Sequence, residues 1–191
     1  MKRLTLTAVA LAVAALLLGA CGSHDMGSMD TDDSTQESAD FNDADVMFAQ
    51  QMIPHHEQAI EMSDIALDPN TGASAAVIAL ATQIKGAQDP EISQMKNLLT
   101  TWGMPTDMGS MDHPSMMDGM LSLEEMDVLG QLKGAEFDKA WAKGMIAHHE
   151  GAIEMANDVL ANGKNSEILT LANAVVSGQS TEIETLKPLA G

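Results

Sequence analysis

Four long stretches of this chain repeat apolar residues every three or four positions, the period of an amphipathic helix. The first covers 44–67 and ends before Pro69-Asn70-Thr71-Gly72. The second covers 73–101, with Ile78, Ile84, Ile92, Met95, Leu98 and Leu99 as its apolar positions. The other two cover 135–161 and 167–186, bounded by Asn162-Gly163 and by Pro188. Ser122-Leu123-Glu124-Glu125 carries the capping-box pattern and predicts a further short helix. No segment alternates with the period of a strand. Two helical hairpins with tight turns and a longer joint between them predict an all-α four-helix bundle.

The hairpins are copies of one another. Met52-Ile53-Pro54-His55-His56-Glu57-Gln58-Ala59-Ile60-Glu61-Met62 matches Met145-Ile146-Ala147-His148-His149-Glu150-Gly151-Ala152-Ile153-Glu154-Met155 at nine of eleven positions. Asp45 pairs with Asp138 and Phe48 with Trp141 at the same spacing, and Gln88-x-x-Glu91-Ile92 returns as Gln179-x-x-Glu182-Ile183. An internal duplication accounts for this, with halves 41–102 and 121–191 joined by 103–120. Pro54 marks a local kink or helix start that the motif does not require, because Ala147 takes its place in the second copy.

The chain ends and the composition narrow the function. Residues 1–20 consist of Lys2 and Arg3, a short apolar run and small residues, a secretory signal rather than a membrane span. Leu18-Gly19-Ala20-Cys21 resembles a bacterial lipoprotein signal, which implies lipidation at Cys21 and an extracytoplasmic protein held at the membrane. Residues 21–40 lack apolar periodicity and read as a flexible tether. The net charge is -19, and removing Lys2 and Arg3 takes it to -21. So acidic a surface repels phosphate backbones, which excludes nucleic acid as a partner. Cys21 is the only cysteine, so no internal disulfide or cysteine-based metal site is available. Methionine, by contrast, occurs 16 times.

On a helical wheel Asp45, Phe48, Met52, His55, His56, Ala59 and Met62 share an arc of about 120°, with Glu57, Gln58 and Glu61 outside it. The second copy repeats the face with Asp138, Trp141, Met145, His148, His149, Ala152 and Met155. Packing would turn both faces inward. Met52, Met62, Met145, Met155 and the four histidines are therefore the candidate metal ligands. Asp45, Asp138, Gln88, Glu91, Gln179 and Glu182 are candidates to hydrogen-bond the imidazoles and fix their tautomers. Thioether and imidazole together select a soft ion, Cu(I), and imidazole alone also accepts Cu(II), Zn or Ni. Auxiliary donors lie in the tether, at His24, Met26 and Met29. Others lie in the joint, at Met104, Met108, Met111, His113, Met116, Met117 and Met120, where Gly, Pro, Ser and Asp leave no regular core. Because metal binding needs neutral imidazole, affinity is expected to fall as pH drops through the range in which free imidazole protonates.

The paired Met-Ile-x-His-His-Glu motifs and the Gln-x-x-Glu-Ile pairs together resemble the CopM-like family of extracytoplasmic copper-binding proteins, long catalogued as a domain of unknown function. The resemblance spans about 41–187. It implies a ferritin-like bundle and copper held by Met52, His55, His56, Met62, Met145, His148, His149 and Met155. The reading that follows is a lipid-anchored, non-enzymatic protein that buffers, sequesters or delivers copper, with a copper-transfer protein as a further partner. Two alternatives remain: a dimetal iron or manganese enzyme handling oxygen or peroxide, and a metal-free scaffold. The Glu-x-x-His pairs expected of the dimetal sites are missing.

Overall fold

The computed structural model describes residues 40–107 and 117–191, which form five helices and, among the described residues, no strand. Cys21, His24, Met26, Met29, Met108, Met111, His113 and Met116 lie outside the described residues, as do the signal and nearly all of the tether. No described helix is long and apolar enough to cross a membrane.

Helix α1 (Asp43–Leu67) opens on Asn42 through a reciprocal capping box with Asp45, and continues through Pro54. Helix α2 (Ala75–Thr101) starts two residues later than its periodicity predicts, because the Ser74 hydroxyl caps the Val77 amide. Val77, Leu80, Ala81 and Ile84 face inward and leave Ile78 exposed. The predicted capping box at Ser122 and Glu125 opens the short helix α3 (Leu123–Gln131). Helix α4 (Gly134–Asn162) and helix α5 (Ser166–Ala190) complete the second hairpin. Pro188 does not end α5: the helix carries Leu189 and Ala190 onward, half-buried against the core.

Each hairpin packs within itself, and the two meet chiefly where α1 lies against α4. The core is in two parts. One joins Phe48, Met52 and Ile53 of α1 to Met95 and Leu99 of α2, Ala156 and Val159 of α4, and Ile168 and Leu171 of α5. The other joins Met62 and Ala66 to Val77 and Ile84, to Phe137, Trp141 and Met145, and to Leu186, with Met126 and Leu129 of α3 closing that end. The beginning of α1 therefore shares a cluster with the end of α4, so the central pair is antiparallel. Of the described residues between the hairpins, Met104 packs on the first cluster, Asp118 reaches His55 between the clusters, and Leu121 packs on the second.

Asp45 and Asp138 do not bond the imidazoles. Asp45 accepts the Lys164 and Asn165 amides at 3.1–3.2 Å, tying α1 to the α4–α5 turn. Asp138 accepts the Ser74 amide at 3.0 Å, tying α4 to the α1–α2 turn. Both lie on the inward face, but near a helix start, so they meet the exposed amides of the opposite hairpin's turn rather than the histidines about three turns away.

Candidate metal centre

Between the two apolar clusters lies a polar layer to which all four long helices contribute. His55, His56, His148 and His149 are fully buried there, with Gln88, Gln179 and Glu182 nearly so. Each His-His pair sits in mid-helix, and adjacent positions on one helix differ by about 100°. One ring of each pair therefore points across to the partner hairpin, and the other toward its own.

His55 and His148, the equivalent residues of the two copies, meet at the centre with ring centroids 3.8 Å apart and planes tilted by 44°. The outer pair is held by carboxylates. His56 Nε2 donates to Glu91 Oε2 at 2.8 Å, and His149 Nε2 donates to Glu182 Oε2 at 2.7 Å. The other Glu182 oxygen accepts from the Gln83 side chain at 3.2 Å, linking it to α2. His55 Nε2 donates to the Asp118 carbonyl of the connection at 3.3 Å. These bonds place the proton of three imidazoles on Nε2 and leave the Nδ1 lone pair free.

The Nδ1 atoms of all four histidines are buried without a hydrogen-bond partner, and His148 Nε2 has no well-formed bond either. Both amide atoms of Gln88 and the Gln179 Oε1 are in the same condition, so neither glutamine orients an imidazole. Buried groups left this way cost about 1–3 kcal/mol each. Burial, reinforced by the neighbouring His56 and His149, pushes the His55 pKa down to about 3, with the Asp118 carbonyl opposing. Burial drives His148 well below the ordinary imidazole value, followed by the repulsion of His55, His149 and His56. Both central rings are thus neutral over the physiological range, the form that coordinates metal.

Among the described residues, no three His, Cys, Asp or Glu side chains are grouped to hold a metal ion in this conformation. Met52 and Met145, a turn before each histidine pair, are fully buried in the flanking apolar clusters, as is Met62. Met155 departs from its repeat partner Met62 and is only half-buried. Nor is the joint uniformly free of core: Met104 packs against the first apolar cluster, and Met117 and Met120 are half-buried.

Sequence reasoning missed the part played by the connection. Gln58 grips Leu121 through two hydrogen bonds, accepting its amide at 2.8 Å and donating to its carbonyl at 2.7 Å. A Cβ on Gly151 would collide with the Asp118 carbonyl, and one on Gly119, whose φ is +82°, with the Ala147 carbonyl. Gln58 and Gly151 occupy the same position of the repeat and form one of its two mismatches. That mismatch is the signal that was available. One copy holds the connection and the other makes room for it, which brings Asp118 down onto His55.

Residues 45–190 match the family described as a domain of unknown function, DUF305. A DUF305 fragment from Deinococcus radiodurans is 30% identical with a TM-score of 0.70, over 78% of this chain and 97% of that one. CopM in its Cu(II)-bound form is 30% identical with a TM-score of 0.65, over 76% of this chain and 95% of its own. In its Cu(I)-bound form the values are 29% and 0.62, over 75% and 93%. No curated protein matches the sequence. The bundle, the duplicated motif and the match along nearly all of the described chain lead to one assignment: this protein belongs to the DUF305 family, whose fold it shares with CopM.

Proposed function

We propose that this protein is an extracytoplasmic, lipid-anchored copper-binding protein that buffers, sequesters or hands on copper, chiefly Cu(I), without catalysing a reaction. The observation that carries the reading is the set of four buried, unpartnered Nδ1 atoms at the middle of the bundle. A coordinated cation removes the cost of leaving those lone pairs unmet. Glu91 and Glu182 are placed as in carboxylate–histidine–metal arrangements, where the acceptor on one nitrogen orients the other toward the ion. Met52 and Met145 lie four residues before His56 and His149, on the same helical face, and supply the soft sulfur donors that favour Cu(I). Coordination requires the His55 and His148 rings to turn from their present packing. CopM, similar along most of both chains, has been solved with Cu(I), Cu(II) and silver. The signal-like first twenty residues and Cys21 support export and anchoring, and thioethers remain usable where a free thiol would oxidise.

A Cu(I) competition titration tests the reading, with the wild type beside a variant carrying Ala at His55, His56, His148 and His149. Circular dichroism checks that the variant folds. The tight class of sites is expected to vanish and a weak methionine-dependent class to persist. Unchanged tight binding in a folded variant rejects the histidine centre.

A further inference from the structure

The repeat creates two related surface grooves beside the central helices, and the chain treats them differently. On α4, Ala140 and Gly144 line a groove of about 520 Å³ together with Leu121 and residues of α3. The Gly144 position lies against Leu121 and the Met62 methyl, so this side is covered by apolar side chains. The corresponding positions on α1 are Met47 and Gln51. Here no described helix lies across the groove. Gln51, Met117, Glu154, Met155 and Asp158 line a space of about 220 Å³, with Asp118 and Gly151 at its inner wall. It continues past Met47, which is 54% exposed, into a second space of about 390 Å³.

Three thioethers and four carboxylates (Asp43, Asp118, Glu154 and Asp158) thus line one continuous groove, and no Lys or Arg is among its lining residues. Met155 is half-buried, packed on the first apolar cluster at the groove's edge, whereas its repeat partner Met62 is fully buried. Sulfur lining an acidic cleft suits a soft cation, because the thioether supplies the coordinate bond and the carboxylates the attraction. The inner wall is also the roof of the histidine layer, since the backbone of the same Asp118 accepts from His55.

We propose that this groove is a separate binding site for a soft monovalent cation, Cu(I) or Ag(I), held by the thioethers of Met117 and Met155 with Met47 at its outer end. It stands directly outside the histidine centre. The proposal extends the copper reading above, and the two can fail independently.

Ag(I), which does not change oxidation state under the assay conditions, is the probe. The whole protein, labelled at its methionine methyl carbons and histidine rings, is titrated to saturation and followed by NMR, with Met117→Leu and Met155→Leu providing assignments. The expected result is movement of the Met117 and Met155 methyl signals. The double variant should lose a single equivalent of bound Ag(I) while its histidine signals still respond. Histidine signals that move while both methyl signals stay fixed overturn the groove site and leave the histidine centre standing. Methyl signals that move while the histidines stay fixed support the groove and reject the histidine centre. Silence at both rejects both.

Discussion

At the scale of single residues, the centre depends on which nitrogen carries the proton. Glu91 and Glu182 hold it on Nε2 of His56 and His149, so removing their charge should disorient the Nδ1 atoms proposed to ligate, without emptying the core. Glu182→Gln is expected to weaken Cu(I) binding about 10- to 100-fold, as loss of such partners does at metal sites. Glu91→Gln should have a smaller effect, because the Glu91 side chain is 21% exposed and Glu182 only 8%. A Cu(I) competition titration of each variant decides, and wild-type affinity in Glu182→Gln rejects the role. Protons act on the folded state differently from the expectation for free imidazole. The His55 pKa falls from 6.5 in a free side chain to about 3 in the fold, so between those values the unfolded chain binds the extra proton. Apo stability is therefore complete above about pH 6.5 and falls as pH drops toward 3, by about 1.4 kcal/mol per pH unit for each such histidine. Urea unfolding at pH 7 and 5.5, with His55→Phe as control, should show the smaller pH slope in the variant; equal slopes reject the assignment. The histidines, Glu91 and Glu182 were legible from helical spacing alone. The amide-capping roles of Asp45 and Asp138 were not, because a wheel gives the direction of a side chain but not what faces it from another hairpin.

At the scale of elements, the two hairpins are alike in sequence and the connection makes them unlike in structure. It is fastened by Gln58, admitted by Gly151 and turned at Gly119, all within reach of the histidine layer. Gln58→Ala removes two hydrogen bonds and leaves the Leu121 backbone groups to find water; a loss of about 1–3 kcal/mol is expected. Gly151→Ala must push the Asp118 backbone off α4, and the strained contact should cost about as much. Hydrogen exchange at 117–121 should rise in both variants while the middles of the long helices stay protected. Protection of 117–121 unchanged from wild type would show that these contacts do not hold the connection. The helices themselves were readable, with ends displaced by a residue or two at the caps and by four at the end of α5. The placement of 117–121 was not readable, because residues 103–120 have no period and Asp118 meets His55 from 63 positions away in sequence.

At the scale of the whole molecule, an apolar core is interrupted at its middle by a layer whose hydrogen bonds are incomplete. Such a layer weakens the apo protein and gives a ligand something to repair. His148, with neither nitrogen well bonded, is the clearest case. His148→Leu is expected to stabilise the apo protein by about 1–3 kcal/mol, since it replaces unmet polar atoms with apolar contact. The same variant should lose most of the thermal stabilisation that Cu(I) gives the wild type, about 4 kcal/mol at a thousandfold excess over the dissociation constant. Thermal unfolding with and without Cu(I) reads both effects. A variant less stable than the apo wild type, yet still stabilised by copper, contradicts the account.

The sequence by itself determined the helices, their inward faces, the duplication and which imidazoles and thioethers those faces carry. All of these follow from local spacing and side-chain chemistry, which survive without knowledge of the partner helix. Only the tertiary structure decided that His55 and His148 meet at the centre, that Met62 is covered while its twin Met155 faces a groove, and that Asp118 caps one half alone. The first follows from the packing of α1 on α4, and the others from residues 117–121, which reach the middle of a nearly symmetric bundle where Gly119 and Gly151 leave them room.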